Sequence, residues 1–430
     1  MVVGWIIAGY FGCGFLLHLL LWLCAWLQSL CCPRRWPDVA VQNKRKSEGG
    51  EQAIVGAGHE CYEYDTPGWP PYALFKVVFA ICTGLLPFRL ISFAMMKSLL
   101  ATRFAKVTAD RHRPPLHRSP STRTRRPRFT HVLVFCLTIL TVWSGCYCKP
   151  FSCPHRICNA GFALLSRLLC NLSAVYTVQV FHKERLDWIG RPGKHPVLVP
   201  NHISMLEAFY LEYLTWGMSG CVAKSQFAIP GVRSATQFSN AVAVDTKDKD
   251  VKQKVNEGIL KFVHNEPDEK GRYPCGRAFV IYPEGITNSQ RGLFRFNTGA
   301  FATGMAVQPV VQRFPYKYMN PAWVSDSRIS RGNDLPWMML RYMSQFHVPM
   351  QVKICEIWEP IEAERNDAVL YASNVQNFMA LQLGIAVTNT GNKILRQKGG
   401  PFDLKSSQVQ PGEETPSRFT QPLLDSSPEI

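Results

Sequence analysis

Asn201-His202 and Glu207 are the residues whose types and spacing first suggest chemistry. They lie in Pro196-Val-Leu-Val-Pro-Asn-His-Ile-Ser-Met-Leu-Glu-Ala-Phe-Tyr210. Val197 to Val199 is an aliphatic run bounded by prolines, which suits a strand buried on both faces. Asn201-His202 ends that run, and Met205 to Leu214 continues as an apolar stretch of helical length. A histidine at a strand-to-helix joint, with an acid five residues on, predicts a base and its orienting carboxylate. A second reading fits the same residues. Ser204-x-x-Glu207 before an apolar run is also a capping box, with Glu207 as a cap and His202 as a loop residue. Five residues along an ideal helix turn through ~140°, so the pair meets only if His202 lies outside the helix, before Ser204.

Arg277-Ala-Phe-Val-Ile-Tyr-Pro-Glu-Gly-Ile-Thr-Asn-Ser289 repeats the pattern. An apolar strand ends at Tyr282, and Pro283-Glu284-Gly285 opens a tight turn. Gly285 lets the backbone approach a ligand, and the amides of such a turn can hold an anion. Glu284 suits a hydroxyl, amide or cationic partner better than a phosphate. An ordinary strand-to-loop turn would read the same way.

Both segments need a sheet to deliver them. Strand-like runs recur at Val197–Val199, Cys221–Ala223, Ala241–Val244, Phe279–Tyr282, Val307–Arg313 and Val352–Trp358, with helical patterns at 204–216, 250–264 and 366–383. Alternating strands and helices predict an α/β fold, a mostly parallel sheet flanked by helices, over residues 181–396. Ligand crevices in such sheets lie where the strands deliver their loops.

The 430-residue chain before that region reads as membrane-associated. Met1 to Cys32 contains no Lys, Arg, Asp or Glu, so residues 1–30 are expected to be a transmembrane anchor rather than a cleaved leader. Arg34, Arg35, Lys44, Arg45 and Lys46 then place the polar linker 31–71 in the cytosol. Residues 72–100 are apolar but carry Pro87 and Arg89, which suits a re-entrant or interfacial element as well as a span. Nine Lys or Arg face one acid in the basic loop 101–128, and Phe104 is the one Phe, Tyr or Trp among them. Anionic lipid headgroups explain that loop better than nucleic acid, which is not expected as a partner. Residues 129–180 are predicted to form a membrane helical hairpin, its second arm running from Ile157 to Val180. Residues 397–430 read as a polar, disordered tail.

The net charge of +17 points to a polyanionic partner, here an anionic membrane face. Fifteen cysteines, an odd number scattered through apolar stretches, fit a reducing compartment rather than a disulfide framework. Cys31 and Cys32 could be palmitoylated or remain free thiols at an interface. Cys146, Cys148, Cys153 and Cys158 match no common zinc spacing, so no metal is expected. A membrane-anchored, basic chain offering a base–carboxylate pair and an anion-binding turn suits acyl transfer to a hydroxyl of an anionic or zwitterionic lipid.

These residues resemble the glycerolipid acyltransferase superfamily. Asn201-His202-x4-Glu207 resembles its His-x4-Asp signature, Tyr282-Pro-Glu-Gly285 its Phe-Pro-Glu-Gly-Thr block, and Val307-Gln-Pro-Val310 its last, proline-containing block. Phe296-Asn-Thr-Gly-Ala-Phe301, Val307 to Pro315, Trp323 and the segment Glu364 to Thr388 look like the lysophosphatidylcholine/lysophosphatidylethanolamine acyltransferase branch. The resemblance covers roughly residues 72–390, and four blocks in order make it specific. Departures are Glu207 for Asp, Ile286 for the usual Thr, and Asn297 where the branch commonly has Lys. Phe227 to Asp245 matches the second block only loosely, and no calcium-binding Asp-x-Asp-x-Asp-Gly run follows the domain.

By that resemblance, His202 and Glu207 are catalytic. Glu284, Gly285, Asn201, Thr287, Arg291 and Pro309 bind substrate, with Arg291 or Arg295 standing in for the missing Lys charge. The implied reaction takes an acyl group from acyl-CoA, a co-substrate rather than a cofactor, to the free hydroxyl of a lysophospholipid. The expected location is the endoplasmic reticulum membrane, with the catalytic domain facing the cytosol. Acylation of lysophosphatidic acid or glycerol-3-phosphate, or lipid binding without catalysis on the same fold, are the alternatives.

Overall fold

In the computed structural model, residues 2–31, 71–92, 154–189, 195–224, 241–244, 250–264, 278–316, 319–323 and 335–388 are described. The aliphatic runs form a seven-stranded sheet in the order β1-β8-β7-β2-β5-β3-β4. Its strands are β1 (Val178–Phe181), β2 (Val197–Pro200), β3 (Met218–Ala223), β4 (Val242–Val244), β5 (Ala278–Val280), β7 (Val307–Arg313) and β8 (Met350–Ile354). Every pairing is parallel except β7 with β8. β6 (Gly292–Leu293) and β9 (Ala386–Val387) form a separate parallel pair. The predicted fold class is therefore observed.

Alternate side chains of each central strand enter opposite cores, as a period of two requires. Leu198, Val280, Val310 and Val352 join one cluster, whereas Val197, Val199, Phe279, Ile281, Val307 and Val311 join the other. Numbering the helices along the chain gives α1 (Val2–Cys31), α2 (Pro71–Cys82), α3 (Pro154–Leu172) and α4 (Leu206–Thr215). They are followed by α5 (Val251–Val263), α6 (Leu335–Ser344), α7 (Glu362–Asn366) and α8 (Ala368–Leu383). Residues of α3, α4 and α6 fill the first cluster, and residues of α5 and α8 fill the second. Asp367 caps α8 by accepting from the amides of Val369 and Leu370 at 2.8 and 3.1 Å. Gly384, at φ 69°, closes its other end.

The structure departs from expectation between residues 157 and 180. The apolar pattern predicts one helix to Val180, but α3 ends at Leu172 and Val178–Phe181 pairs in parallel with Met350–Lys353. Arg167 is the physical reason. Its guanidinium bonds Asn171 Oδ1 at 2.8 Å and the carbonyls of Val175 and Tyr176, which gathers the chain beyond the helix end. Ala174 takes a left-handed φ of 64° in that turn. Helix α3 packs on α4, so this segment is continuous with the sheet domain. The other arm of the expected hairpin, the linker, the basic loop and the tail lie outside the described residues.

By length and composition, Trp5–Leu30 within α1 can cross a membrane, and most of it is exposed. Phe75–Cys82 and Leu85–Ser92 form a pair bent by 78°. Gly84 sits in the bend at φ 74°, and Pro87 falls in the first turn of the second piece, where a missing N–H costs nothing. One stripe of α1 touches the rest of the chain: Leu17 and Leu21 pack on the first cluster, and Ala25 is buried in it. Where α1 crosses the bend, a Cβ on Gly14 would lie 2.2 Å from the Gly84 carbonyl oxygen. Gly14→Val should therefore destabilise the detergent-solubilised protein by about 1–3 kcal/mol. Gly12→Val, at a site with nothing within 4 Å, should leave the thermal midpoint unchanged. Equal midpoints for the two variants would show that the crossing is not tight.

Candidate active site

β2 lies between β7 and β5, and loops from all three adjacent strands meet at its carboxyl end. His202 follows Pro200 there, ahead of α4, in the position the spacing argument required. Its Nδ1 donates to Glu207 Oε1 at 2.8 Å. The direction follows from the partner, since a carboxylate only accepts. That leaves Nε2 as the unprotonated nitrogen of a side chain 25% exposed, opposite a Glu207 side chain with no exposure at all.

Glu207 is also the cap. Oε1 accepts the amides of Ile203 and Ser204, each at 2.7 Å, and Oε2 accepts the Ser204 hydroxyl at 2.9 Å. The Ser204 oxygen in turn accepts the Leu206 amide at 3.1 Å. Glu207 thus supplies its half of the expected capping box while holding His202, whereas α4 begins at Leu206 and Ser204 serves that amide instead of the Glu207 amide.

Glu284 holds the other side of the histidine loop. Its carboxylate accepts the His202 amide at 2.9 Å, the Phe294 amide at 3.0 Å and Asn288 Nδ2 at 2.8 and 3.0 Å. The Asn288 amide returns to the His202 carbonyl at 2.6 Å. Burial pushes the Glu284 carboxyl up to about 8, against the pull of those donors. The Tyr282 ring lies against the His202 ring, with centroids 4.3 Å apart, and burial raises its phenol well above the usual range.

Asn201 straps the loop to β7. Its Nδ2 donates to the Gln312 carbonyl at 3.0 Å, and its Oδ1 accepts the Gln312 amide at 2.7 Å. Gln290, held at φ 69°, donates to Asn320 Oδ1 and accepts the Phe314 amide, each at 2.7 Å. The Trp323 amide donates to the Ile203 carbonyl at 3.1 Å.

The residues expected to contact substrate therefore divide. Gly285, Arg291 and the nearby Arg295 are exposed. Asn201, Glu284, Thr287 and Pro309 are buried, and Asn201 and Glu284 bond the backbone on either side of His202. The Gly285 amide is also committed, donating to the Tyr282 carbonyl at 3.1 Å, and its φ of 68° explains the glycine. Pro309 sits inside β7, where a proline lacks a ladder donor. The β7–β8 register accommodates it: Val310 faces Ile354, but Val307 bridges to Trp358, three residues against four. That bulge falls where the missing N–H would have pointed. Spacing alone did not single out Tyr282, Asn288, Gln290, Gln312 or Asn320. The polar run Thr287 to Gln290, directly after a buried strand, was the available signal.

Residues 178–313 match the family model described as Acyltransferase. That match covers less than half of the chain, and over the same region the chain is similar to lysophosphatidylcholine acyltransferases. It is 32% identical over 177 residues to human lysophosphatidylcholine acyltransferase 1, covering 41% of this chain and 31% of that protein. Against the lysophosphatidylcholine acyltransferase of Drosophila melanogaster, it is 28% identical over 223 residues, 51% of this chain and 39% of the other. A lysophospholipid acyltransferase of Arabidopsis thaliana is 25% identical over 211 residues, 47% and 36% of the respective chains. The matches thus span well under half of these relatives' lengths.

Glu212, on the far turn of α4, gives a test of the buried carboxyls that leaves the histidine untouched. It accepts the Met218 amide at 3.0 Å, and burial raises it from 4.5 to about 8. In the unfolded chain it ionises near 4.5; in the folded chain only near 8. Its favourable contribution is complete below pH 4.5 and is lost as the pH rises through 8. Wild-type stability should fall across that window more steeply than that of Glu212→Gln. Parallel curves of denaturant midpoint against pH would refute the raised value.

Proposed function

We propose that this protein is a membrane-bound lysophospholipid acyltransferase, using acyl-CoA to acylate the free hydroxyl of a lysophospholipid. The observation carrying this reading is the His202–Glu207 pair, with Nδ1 tied at 2.8 Å and Nε2 left as the basic nitrogen. The names of the relatives support the substrate class. Nε2 takes the proton of the acceptor hydroxyl as its oxygen attacks the thioester carbonyl. Glu207 holds the tautomer and stabilises the imidazolium that forms. The tetrahedral intermediate collapses, the carbon–sulfur bond breaks, and the imidazolium returns its proton to the departing thiolate. A thioester is already activated, so the scheme is written without metal, cofactor or covalent enzyme intermediate.

The guanidinium groups of Arg291 and Arg295, exposed beside the Glu284 turn, suit phosphate oxygens of either substrate. Helix α1 and the bent pair would keep the site at the lipid surface from which the acceptor comes. An endoplasmic reticulum location with a cytosolic catalytic face follows from this chemistry and from the positive loop after α1.

The test is transfer of labelled acyl-CoA by purified full-length protein to a panel of lysolipids differing in headgroup. Lysophosphatidylcholine or lysophosphatidylethanolamine should be acylated, and His202→Ala should lower the rate by about 10²–10⁴-fold. The variant should keep the wild-type circular dichroism and thermal midpoint. Transfer only to lysophosphatidic acid or glycerol-3-phosphate would reassign the substrate. Undiminished turnover by His202→Ala would overturn the mechanism.

A further inference from the structure

Arg89 is fully buried although it lies in an apolar, bent helical pair. Its Nη1 donates to the carbonyls of Met343 and Gln345, each at 2.6 Å. Its Nη2 bonds the Tyr176 hydroxyl, and Nε donates to His18 Nδ1 of α1 at 3.3 Å. The Tyr176 hydroxyl lies 3.1 Å from the same histidine nitrogen. Lys76, also buried, donates to Gln345 Oε1 at 3.1 Å and lies over the Phe346 ring.

The two carbonyls that Arg89 grips are at the carboxyl end of α6, which carries the negative end of the helix dipole. A guanidinium suits that place because its fork can bond several carbonyls at once and stays charged when buried. The same helix reaches the catalytic loop one residue earlier. Tyr342 bonds the Pro321 carbonyl, two residues before Trp323, whose amide donates to the Ile203 carbonyl at 3.1 Å. Ser204 donates to Glu207 Oε2, and Ile203 and Leu206 share the buried cluster of Tyr342 and Met343. A continuous set of contacts therefore runs from α1 and the bent pair, through the end of α6, to the carboxylate that orients His202.

We propose that Arg89 is a positioning residue for acyl transfer, holding α6 so that Tyr342 supports the Ser204–Glu207–His202 loop. This rests on the acyltransferase reading above and assigns a residue far from the signature blocks to the same reaction. Arg89 touches neither substrate nor the reacting atoms. Its loss should lower kcat without changing KM for acyl-CoA.

The experiment uses the full chain in lipid nanodiscs and a kinetic cycle of Arg89→Lys, Tyr342→Phe and the double variant. Lysine keeps the charge but, with a single nitrogen, cannot hold the two carbonyls together with Tyr176 and His18, and phenylalanine removes one hydroxyl, so both are expected to fold. Each single variant should lose roughly tenfold in kcat, the scale expected of a misplaced catalytic group, with KM within about twofold of wild type. If both act through α6, the double variant should be no slower than the slower single one. Losses that multiply, or a kcat for Arg89→Lys within about twofold of wild type, would overturn the proposal. Arg89→Leu, where it folds, should fall below Arg89→Lys, and equal rates for the two would also count against it. Absence of transfer by the wild-type protein would instead defeat the functional reading, so the two failures are distinguishable.

Discussion

The site depends on one buried carboxylate. Glu207 accepts four hydrogen bonds: from the ring of His202, from two successive amides and from the Ser204 hydroxyl. Buried, incompletely partnered acceptors are costly, so this convergence stabilises one loop conformation and penalises others. Because the amides of Ile203 and Ser204, just before α4, point at the same group, entering the helix and orienting the histidine are coupled. The superfamily pattern has an aspartate here. A glutamate in the first helical turn must reach back past Ser204 to a residue outside the helix, and its extra methylene lengthens that arm. Both oxygens are occupied and the ring contact is 2.8 Å, so the longer side chain meets all of these demands together.

The remaining ties fix the backbone that carries the histidine. Glu284 takes its amide, Asn288 takes its carbonyl, Asn201 is strapped to β7, and Trp323 bonds the carbonyl of Ile203. These polar groups come from loops after three neighbouring strands, and each is satisfied by the protein itself. A base delivered on a short loop loses reactivity when the loop wanders, and the network reduces that freedom before substrate arrives.

The parts of this arrangement legible in the sequence were local ones. Five residues separate His202 from Glu207, so a spacing argument could state the condition under which they meet, and the structure satisfies it. Val307–Arg313 was readable end to end, because its β-branched Val307, Val310 and Val311 favour a strand although Gln308, Pro309 and Gln312 interrupt them. β1 was not: Val178–Phe181 is four residues long and follows an apolar helix whose pattern simply continues into it. What separates the two is Arg167 drawing in the chain after the helix, a tertiary effect invisible to periodicity. The tie between Glu284 and the His202 amide joins positions 82 apart, so both segments could be found without their contact being foreseen. Helix α6 was missed altogether, and its partner Arg89 is 254 residues from Met343.

Arg89 also shows how a residue that argues against a simple span becomes intelligible once its surroundings are known. Facing lipid, a guanidinium would have no partners for its five donors, and such placements are strongly disfavoured. Here Arg89 and Lys76 turn toward the sheet domain, while Phe75, Val78, Ile81, Leu90 and Ile91 stay exposed on the outside of the bend. The polarity is the reverse of a soluble helix, with cations against protein and apolar side chains outward. That reversal suits a segment whose outer surface meets hydrocarbon and whose inner surface meets the end of α6. Leu85 and Leu86 are buried in the same cluster as Leu198 and Val310 of the central sheet. The apolar segments are thus built into the core beneath the His202 loop rather than tethered to it, and separating them would open that core.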